Sequence, residues 1–338
     1  LKRLPLPDLL KGFAVFMIVP VHILEFFINA PGRESLFGKI LLFMGGPVCV
    51  PVFMITMGYF VARNRKTPGQ NFLRGIKIFT LGFHLNIGLN FHLLWKIVFS
   101  GWAYNPWEYI LGVDIFYLAG LSLMFLSWLK SLKKGREWVA LILFFGIAGL
   151  TGGMNSLVMP AGENYVIPFI AGAYSWSYFP LFPWLAYPLA GFAFFHFEAP
   201  VLLWVGRHKA ATRLLLLIIA ALVVAFGKSG VFTTIDLPAY YHHTFLFSLW
   251  ATGIVILWAA FLRYLLPKWQ DVSLIRFLRW LGKNITVFYI VQWLIIGNIA
   301  TAIYQTQRLS MYPFWLAGIF AATVLITWII EKKSIRLT

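Results

Sequence analysis

Apolar residues along this chain fall in long unbroken runs, not in the one-sided stripes of a soluble helix or the alternation of a strand, and such runs predict membrane-spanning helices. They place spans near residues 9–29, 38–62, 73–91, 108–129, 138–158, 178–198, 212–230, 244–266, 281–300 and 313–331. Ten spans of about 20 residues consume about 200 positions. The connections left over are too short for a soluble domain, so residues 1–338 are expected to form one transmembrane domain. The predicted class is all-α, a polytopic integral membrane helical bundle of about ten spans. The first run continues through Pro20 and His22, too long for a signal-peptide core, and is expected to be retained.

Composition agrees: 60% of residues are hydrophobic and only 12% charged, about half the charged share of an ordinary soluble domain. The net charge of +17 invites a nucleic-acid partner, but the positions of the charges argue for a lipid bilayer instead. Basic residues collect in alternate connections, for example Arg63, Arg65, Lys66, then Lys130, Lys133, Lys134, Arg136, then Arg207, Lys209, Arg213. Of the 28 Lys and Arg, only Arg33, Lys39, Lys96, Lys228 and Arg308 fall on the other side. That bias predicts both termini in the cytoplasm. The single cysteine, Cys49, excludes an internal disulfide and reads as a small buried residue.

The connections on the sparsely charged side are rich in aromatics. Residues 91–107, with Trp95, Trp102, Tyr104 and Trp107, suit an interfacial or re-entrant piece. Residues 159–177 carry Glu163, Tyr174 and Trp176, and residues 231–243 carry Asp236, Tyr240, His242 and His243. Loops of this kind are where a binding site is built, although an interfacial aromatic belt accounts for many of the same residues.

Ionisable groups within spans are costly in lipid unless they face protein or water, which makes each a functional candidate. Asp8 and Lys11 open the first span, and His22 follows eleven positions later. At 1.5 Å per residue His22 lies about 16 Å beyond Lys11, and eleven residues is close to three turns, so both occupy one helix face. Either a polar channel or a hydrogen bond to a neighbouring helix accounts for the imidazole. Arg74, His84, Asn86, Asn90 and His92 in the third span, and Lys283, Asn284, Tyr289, Gln292 and Asn298 in the ninth, suggest helices that line one cavity, with hydrogen bonding between helices as the simpler role for each. No metal site is expected: there is no HExxH, no zinc-spaced cluster, and His242 and His243 are adjacent and so point apart.

Four stretches together resemble a known group. LPDLLKGFAVFMIVPVH, ending at His22, places a basic residue, ten intervening positions and a histidine in the arrangement that the wider superfamily builds with Arg and His. VPVFMITMG (50–58), YFPLFPWLAYPLAGF (178–192) and LGKNITVFYIVQW (281–293) complete the set. The chain resembles the transmembrane acyltransferases related to heparan-α-glucosaminide N-acetyltransferase, including bacterial homologues. Two departures stand out: Lys11 occupies the usual Arg position, and Gln292 stands where the human-type enzymes carry His.

The resemblance implies that acetyl-CoA, as co-substrate, gives up an acetyl group to an amino sugar across the membrane, here a bacterial inner membrane. The acceptor it implies is a terminal glucosamine of a heparan-type oligosaccharide; O-acetylation of a cell-envelope glycan is the close alternative. Arg3, Lys11, Arg74 and Lys283 would hold the CoA phosphates. His22 would act as general base or as the acyl-carrying nucleophile, with Asn284 or Tyr289 polarising the thioester carbonyl. His84, Asn90, Glu163, Trp176, Asp236 and His243 are the candidates for acceptor binding. A homodimer is compatible with all of this. A secondary transporter is the main non-enzyme alternative, suited by Gly45, Gly46, Pro47 and Pro51 in the second span. Against it, no mid-membrane carboxylate is expected, Asp114 being the nearest case.

Overall fold

The computed structural model describes residues 4–156 and 164–333. In chain order these form α1 (Pro5–Phe27), α2 (Ala30–Glu34), α3 (Leu36–Arg63), α4 (Pro68–Leu89), α5 (Phe91–Ser100), α6 (Pro106–Ile110), α7 (Ile115–Ser131), α8 (Arg136–Asn155) and α9 (Ile167–Ile170). There follow α10 (Leu181–Trp184), α11 (Ala186–Arg207), α12 (Lys209–Ala225), α13 (Gly227–Ile235), α14 (Leu237–Tyr241), α15 (Phe245–Trp269), α16 (Ser273–Lys283), α17 (Ile285–Ile303) and α18 (Tyr312–Lys332). Strand pairing among the described residues is limited to the isolated bridges Ile28–Gln307 and Val113–Ser177. The protein is an all-helical, polytopic membrane protein.

Seven stretches among the described residues are long and apolar enough to cross a bilayer: α1, α3, α8, Leu181–Arg207, α15, α17 and Leu309–Lys332. An eighth is α12 with α13, bent by 59° at their junction, if the pair is counted as one span. Two of the ten expected spans fall outside this set. The third corresponds to α4, long enough but diluted by Arg74, Lys77, His84 and Asn86; the fourth corresponds to α7, which has only 17 residues. The connection at 91–107 contains α5 and α6, of ten and five residues, both too short to cross.

The chain separates into two compact units, one built on Val50–Thr80 and Val113–Phe261, the other on Arg3–Cys49, Leu81–Gly112 and Leu262–Thr338. The core of the first joins Val61 of α3 to Leu123 and Leu126 of α7, Phe144 of α8, and Leu189 and Phe192 of α11. Here Lys130 closes the end of α3: its Nζ donates to the Val61 and Asn64 carbonyls at 3.0 and 2.7 Å, satisfying acceptors that a helix terminus leaves open. Near that end the Tyr59 hydroxyl donates to Glu198 at 2.8 Å and accepts from Arg63 at 3.3 Å.

The first unit also resolves three expected acceptor ligands. His243 is 1% exposed, with Nδ1 2.8 Å from the Tyr240 carbonyl and Nε2 3.0 Å from the Tyr187 hydroxyl. Both ring nitrogens are spent within the protein, so His243 is a satisfied core histidine and has nothing to offer a sugar. Trp176 is likewise buried, its ring packed against Tyr165 and Tyr174. Asp236 is exposed and caps α14, accepting from the Ala239 N–H.

Burial pushes the His243 pKa from 6.5 down to about 3. The unfolded chain takes up this proton near pH 6.5 while the folded protein refuses it until about pH 3. The stability carried by the neutral ring is therefore complete above pH 6.5 and is lost progressively on acidification from there toward pH 3. Thermal unfolding in detergent should show a melting temperature that falls between pH 7 and pH 4 in the wild type. The fall should be smaller in His243→Gln; equal slopes for the two proteins would remove this residue as the cause.

The second unit is organised around α1. A helix not expected from the sequence, α16, runs against it: Ile275, Leu278, Leu281 and Gly282 face inward, while Arg276 and Lys283 remain exposed. The two backbones meet at a pair of glycines. A Cβ on Gly12 would collide with the Leu278 carbonyl, and one on Gly282 with the Asp8 carbonyl. Small residues at such a crossing let two helices approach backbone to backbone. α18 secures the far part of α1: the Tyr312 hydroxyl donates to the Pro20 carbonyl at 3.2 Å, and Phe27 packs edge-on against Trp315. Cys49 is buried, its thiol 3.2 Å from the Ala14 carbonyl, which is the inert role expected of it.

Candidate active site

His22 stands on α1 where α17 passes. Its Nδ1 lies 2.9 Å from the Gln292 side-chain amide nitrogen, and its ring is stacked at a tilt over Trp293, centroids 4.1 Å apart. Tyr289, one turn earlier on α17, completes the arc, its ring 6.4 Å from the imidazole. Gln292 is wholly buried, and its Oε1 has no partner among the described residues; the buried Trp293 Nε1 also lacks one. Polar atoms left unmatched inside a protein cost free energy unless something else satisfies them. No hydrogen bond occupies His22 Nε2 among the described residues, which leaves that nitrogen as the one able to meet a reacting group.

Of the basic residues assigned to the donor, Lys11 and Lys283 flank the glycine crossing of α1 and α16. Lys11 sits at the opening of α1, paired with Asp8 at 3.1 Å. Lys283, at the end of α16, pairs with Glu331 at 2.6 Å. Arg74 is exposed on α4 in the first unit, and Arg3 lies outside the described residues. Glu163 also lies outside them.

Asn284 lies away from His22. It forms the junction of α16 and α17, its side chain donating to the Trp280 carbonyl at 3.2 Å. Eight residues separate it from Gln292, about 12 Å along the helix, too far to polarise a carbonyl beside His22. Tyr289 keeps its place near the imidazole. Among the acceptor candidates of the second unit, His84 is exposed, and Asn90 gives its amide N–H groups to the Asn86 and Tyr109 carbonyls at 3.0 and 3.3 Å. Asn86 and Asn298 act similarly, Asn298 donating to the Gly88 carbonyl at 2.8 Å and accepting from the His92 N–H at 2.9 Å. These hydrogen bonds tie α4 to the segment before α7 and to α17.

Two residues near His22 were not among the site residues expected from the sequence. Gln292 was legible as a polar residue of the ninth span and, through the resemblance, as the position of a family His, but nothing in a single chain tells which span faces His22. Glu25 was passed over entirely: it lies inside α1, three residues after His22 and two before the helix ends at Phe27. The available signal was the His-x-x-Glu spacing within one apolar run, which puts both groups on one helix face.

α1 and α17 thus hold an imidazole with one ring nitrogen engaged by Gln292 and the other without a hydrogen bond among the described residues. A family model described as "Acyltransferase domain" matches residues 5–332, and the chain belongs to that membrane acyltransferase family. No curated protein matches the chain.

Proposed function

We propose that this acyltransferase moves an acetyl group from acetyl-CoA, bound from the cytoplasm at the basic ends of its helices, to a sugar on the opposite side of the membrane. The observation that carries the reading is the His22–Gln292 pair, because it leaves a single imidazole nitrogen to serve as base. For Nε2 to accept a proton, Nδ1 must carry one, and a 180° turn of the Gln292 amide offers its oxygen to that N–H. As the acceptor amine or hydroxyl attacks the thioester carbonyl, its proton passes to Nε2. The C–S bond then breaks, and the imidazolium returns the proton to the departing CoA sulfur. The Tyr289 hydroxyl is the nearest candidate to polarise the carbonyl. Lys11 supplies positive charge for phosphate, though as a point charge without the bidentate fork of Arg.

The glucosamine amine is the acceptor that the family resemblance favours, and a glycan hydroxyl fits the same chemistry equally well. Purified protein in detergent with ¹⁴C-acetyl-CoA and either methyl β-glucosaminide or methyl β-glucoside separates the two. Label in an alkali-stable amide supports N-acetylation, label in an alkali-labile ester supports O-acetylation, and absence of label from both, with sugar counterflow in vesicles, would replace the enzyme by a transporter. The family membership bears the weight of that choice.

A further inference from the structure

Glu25 raises a question of its own. A carboxylate within a span is expensive unless it is matched by charge and by hydrogen-bond donors. Its carboxylate accepts no hydrogen bond among the described residues, and only its backbone carbonyl is engaged, by the Gln305 side chain at 3.1 Å. Arg33, just beyond α1, acts on it electrostatically but forms no ion pair with it. The Arg33 Nε is itself buried without an acceptor. Donor and acceptor thus stand near each other, each incomplete, separated by more than an ion-pair distance.

The surroundings tie this cluster to His22. The Trp293 ring that stacks on the imidazole packs edge-on against Phe26 at 5.1 Å, and Phe26 against Tyr304 at 6.0 Å. The rim is fixed: the Gln305 and Gln307 N–H groups donate to the Phe26 and Phe27 carbonyls, both at 2.9 Å, closing the end of α1. Gln305 holds φ at 54°, a conformation non-glycine residues adopt at a cost and which concentrates at functional sites. Along α1, Glu25 lies about 4.5 Å beyond His22, on the side away from Lys11.

We propose that Glu25 and Arg33 form the acceptor subsite, taking a sugar that presents an N–H or O–H donor to the carboxylate and an oxygen acceptor to the guanidinium. Donor, imidazole and acceptor then follow one another along a single helix, with Lys11 at one end and Glu25 at the other. This inference rests on the acyl-transfer reading, but its binding arm is independent of turnover.

The test pairs two measurements on full-length protein in detergent, with methyl β-glucosaminide and methyl β-glucoside as probes. Saturation-transfer NMR reports binding to the wild type, His22→Ala, Glu25→Gln and Arg33→Gln, and acetyl transfer is assayed alongside. Binding of at least one probe to the wild type and to His22→Ala, weakened about tenfold or more in both Glu25→Gln and Arg33→Gln, is the expected result. In turnover the same two variants should raise the acceptor KM and leave the acetyl-CoA KM unchanged. Thermal melts within a few degrees of wild type show that either variant has folded, and if one has not, the other decides. Binding unaffected by both substitutions, no binding to the wild type, or a loss confined to kcat overturns the subsite. Binding that follows the expected pattern without any acetyl transfer would keep the subsite and defeat the acyl-transfer reading instead.

Discussion

Replacing His22 by Ala should lower acetyl transfer about 10²–10⁴-fold, the contribution of a positioned general base. The size of the effect follows from the geometry. Gln292 occupies Nδ1 at 2.9 Å and Trp293 covers one ring face, so the imidazole cannot swing away and no second histidine shares its place. Tyr289 is the other titratable side chain of the arc, and a neutral phenol is a poor base near neutral pH. Because Lys11 lies about 16 Å away along α1, the variant should still bind acetyl-CoA with unchanged affinity. Rapid-quench assays with labelled donor give both quantities. Transfer within a few-fold of wild type would take His22 out of the reaction, and label trapped on the wild-type protein but not on the variant would make the imidazole a nucleophile rather than a base.

The second large effect concerns assembly. Gly12→Val should abolish recovery of folded protein or lower its melting temperature sharply, and Gly282→Val should do the same. In each case the new side chain meets the backbone of the facing helix, Leu278 or Asp8, and a backbone carbonyl cannot rotate aside as a flexible side chain can. Overpacking elsewhere costs about 1–3 kcal/mol, and a clash against main chain belongs at or above the top of that range. Gly146 of α8 is the control, since a Cβ there meets nothing within 4 Å. Gly146→Ala should leave the melting temperature unchanged or slightly higher, as expected for an unobstructed helix position. Size-exclusion profiles and thermal melts of the three variants decide the matter; a monodisperse, normally melting Gly12→Val protein would mean that α1 and α16 do not cross so closely.

What the sequence revealed, and what it concealed, follows from the kind of information each feature carries. Long apolar runs are local, so α1, α3, α8, α15, α17 and α18 were legible within a few residues of their ends. α16 was not, because eleven residues with charge on one face and Ile275, Leu278 and Leu281 on the other read as a basic connection next to a span. The importance of His22 was legible from its placement in an apolar helix and from the resemblance. Its partner was not: the distance in sequence between His22 and Gln292 is 270 residues, and only tertiary packing selects Gln292 over Asn284 or Asn298. Burial explains the aromatic loop residues that misled. Tyr174, Trp176 and Tyr240 look like a sugar platform in one dimension but are turned inward in three.

The interleaving of the second unit bears on how the protein is made. α1, carrying Asp8, Lys11, His22 and Glu25, is synthesised well before three of the helices that pack on it, α16, α17 and α18, which begin only at residue 273. Until then this polar helix has α3 beside it but lacks the α17 residues Gln292 and Trp293 that pack on His22. Its partition into the bilayer before residue 273 is synthesised must therefore lean on the insertion machinery, and ribosome-stalled chains ending short of α16 should be the ones most readily extracted or degraded.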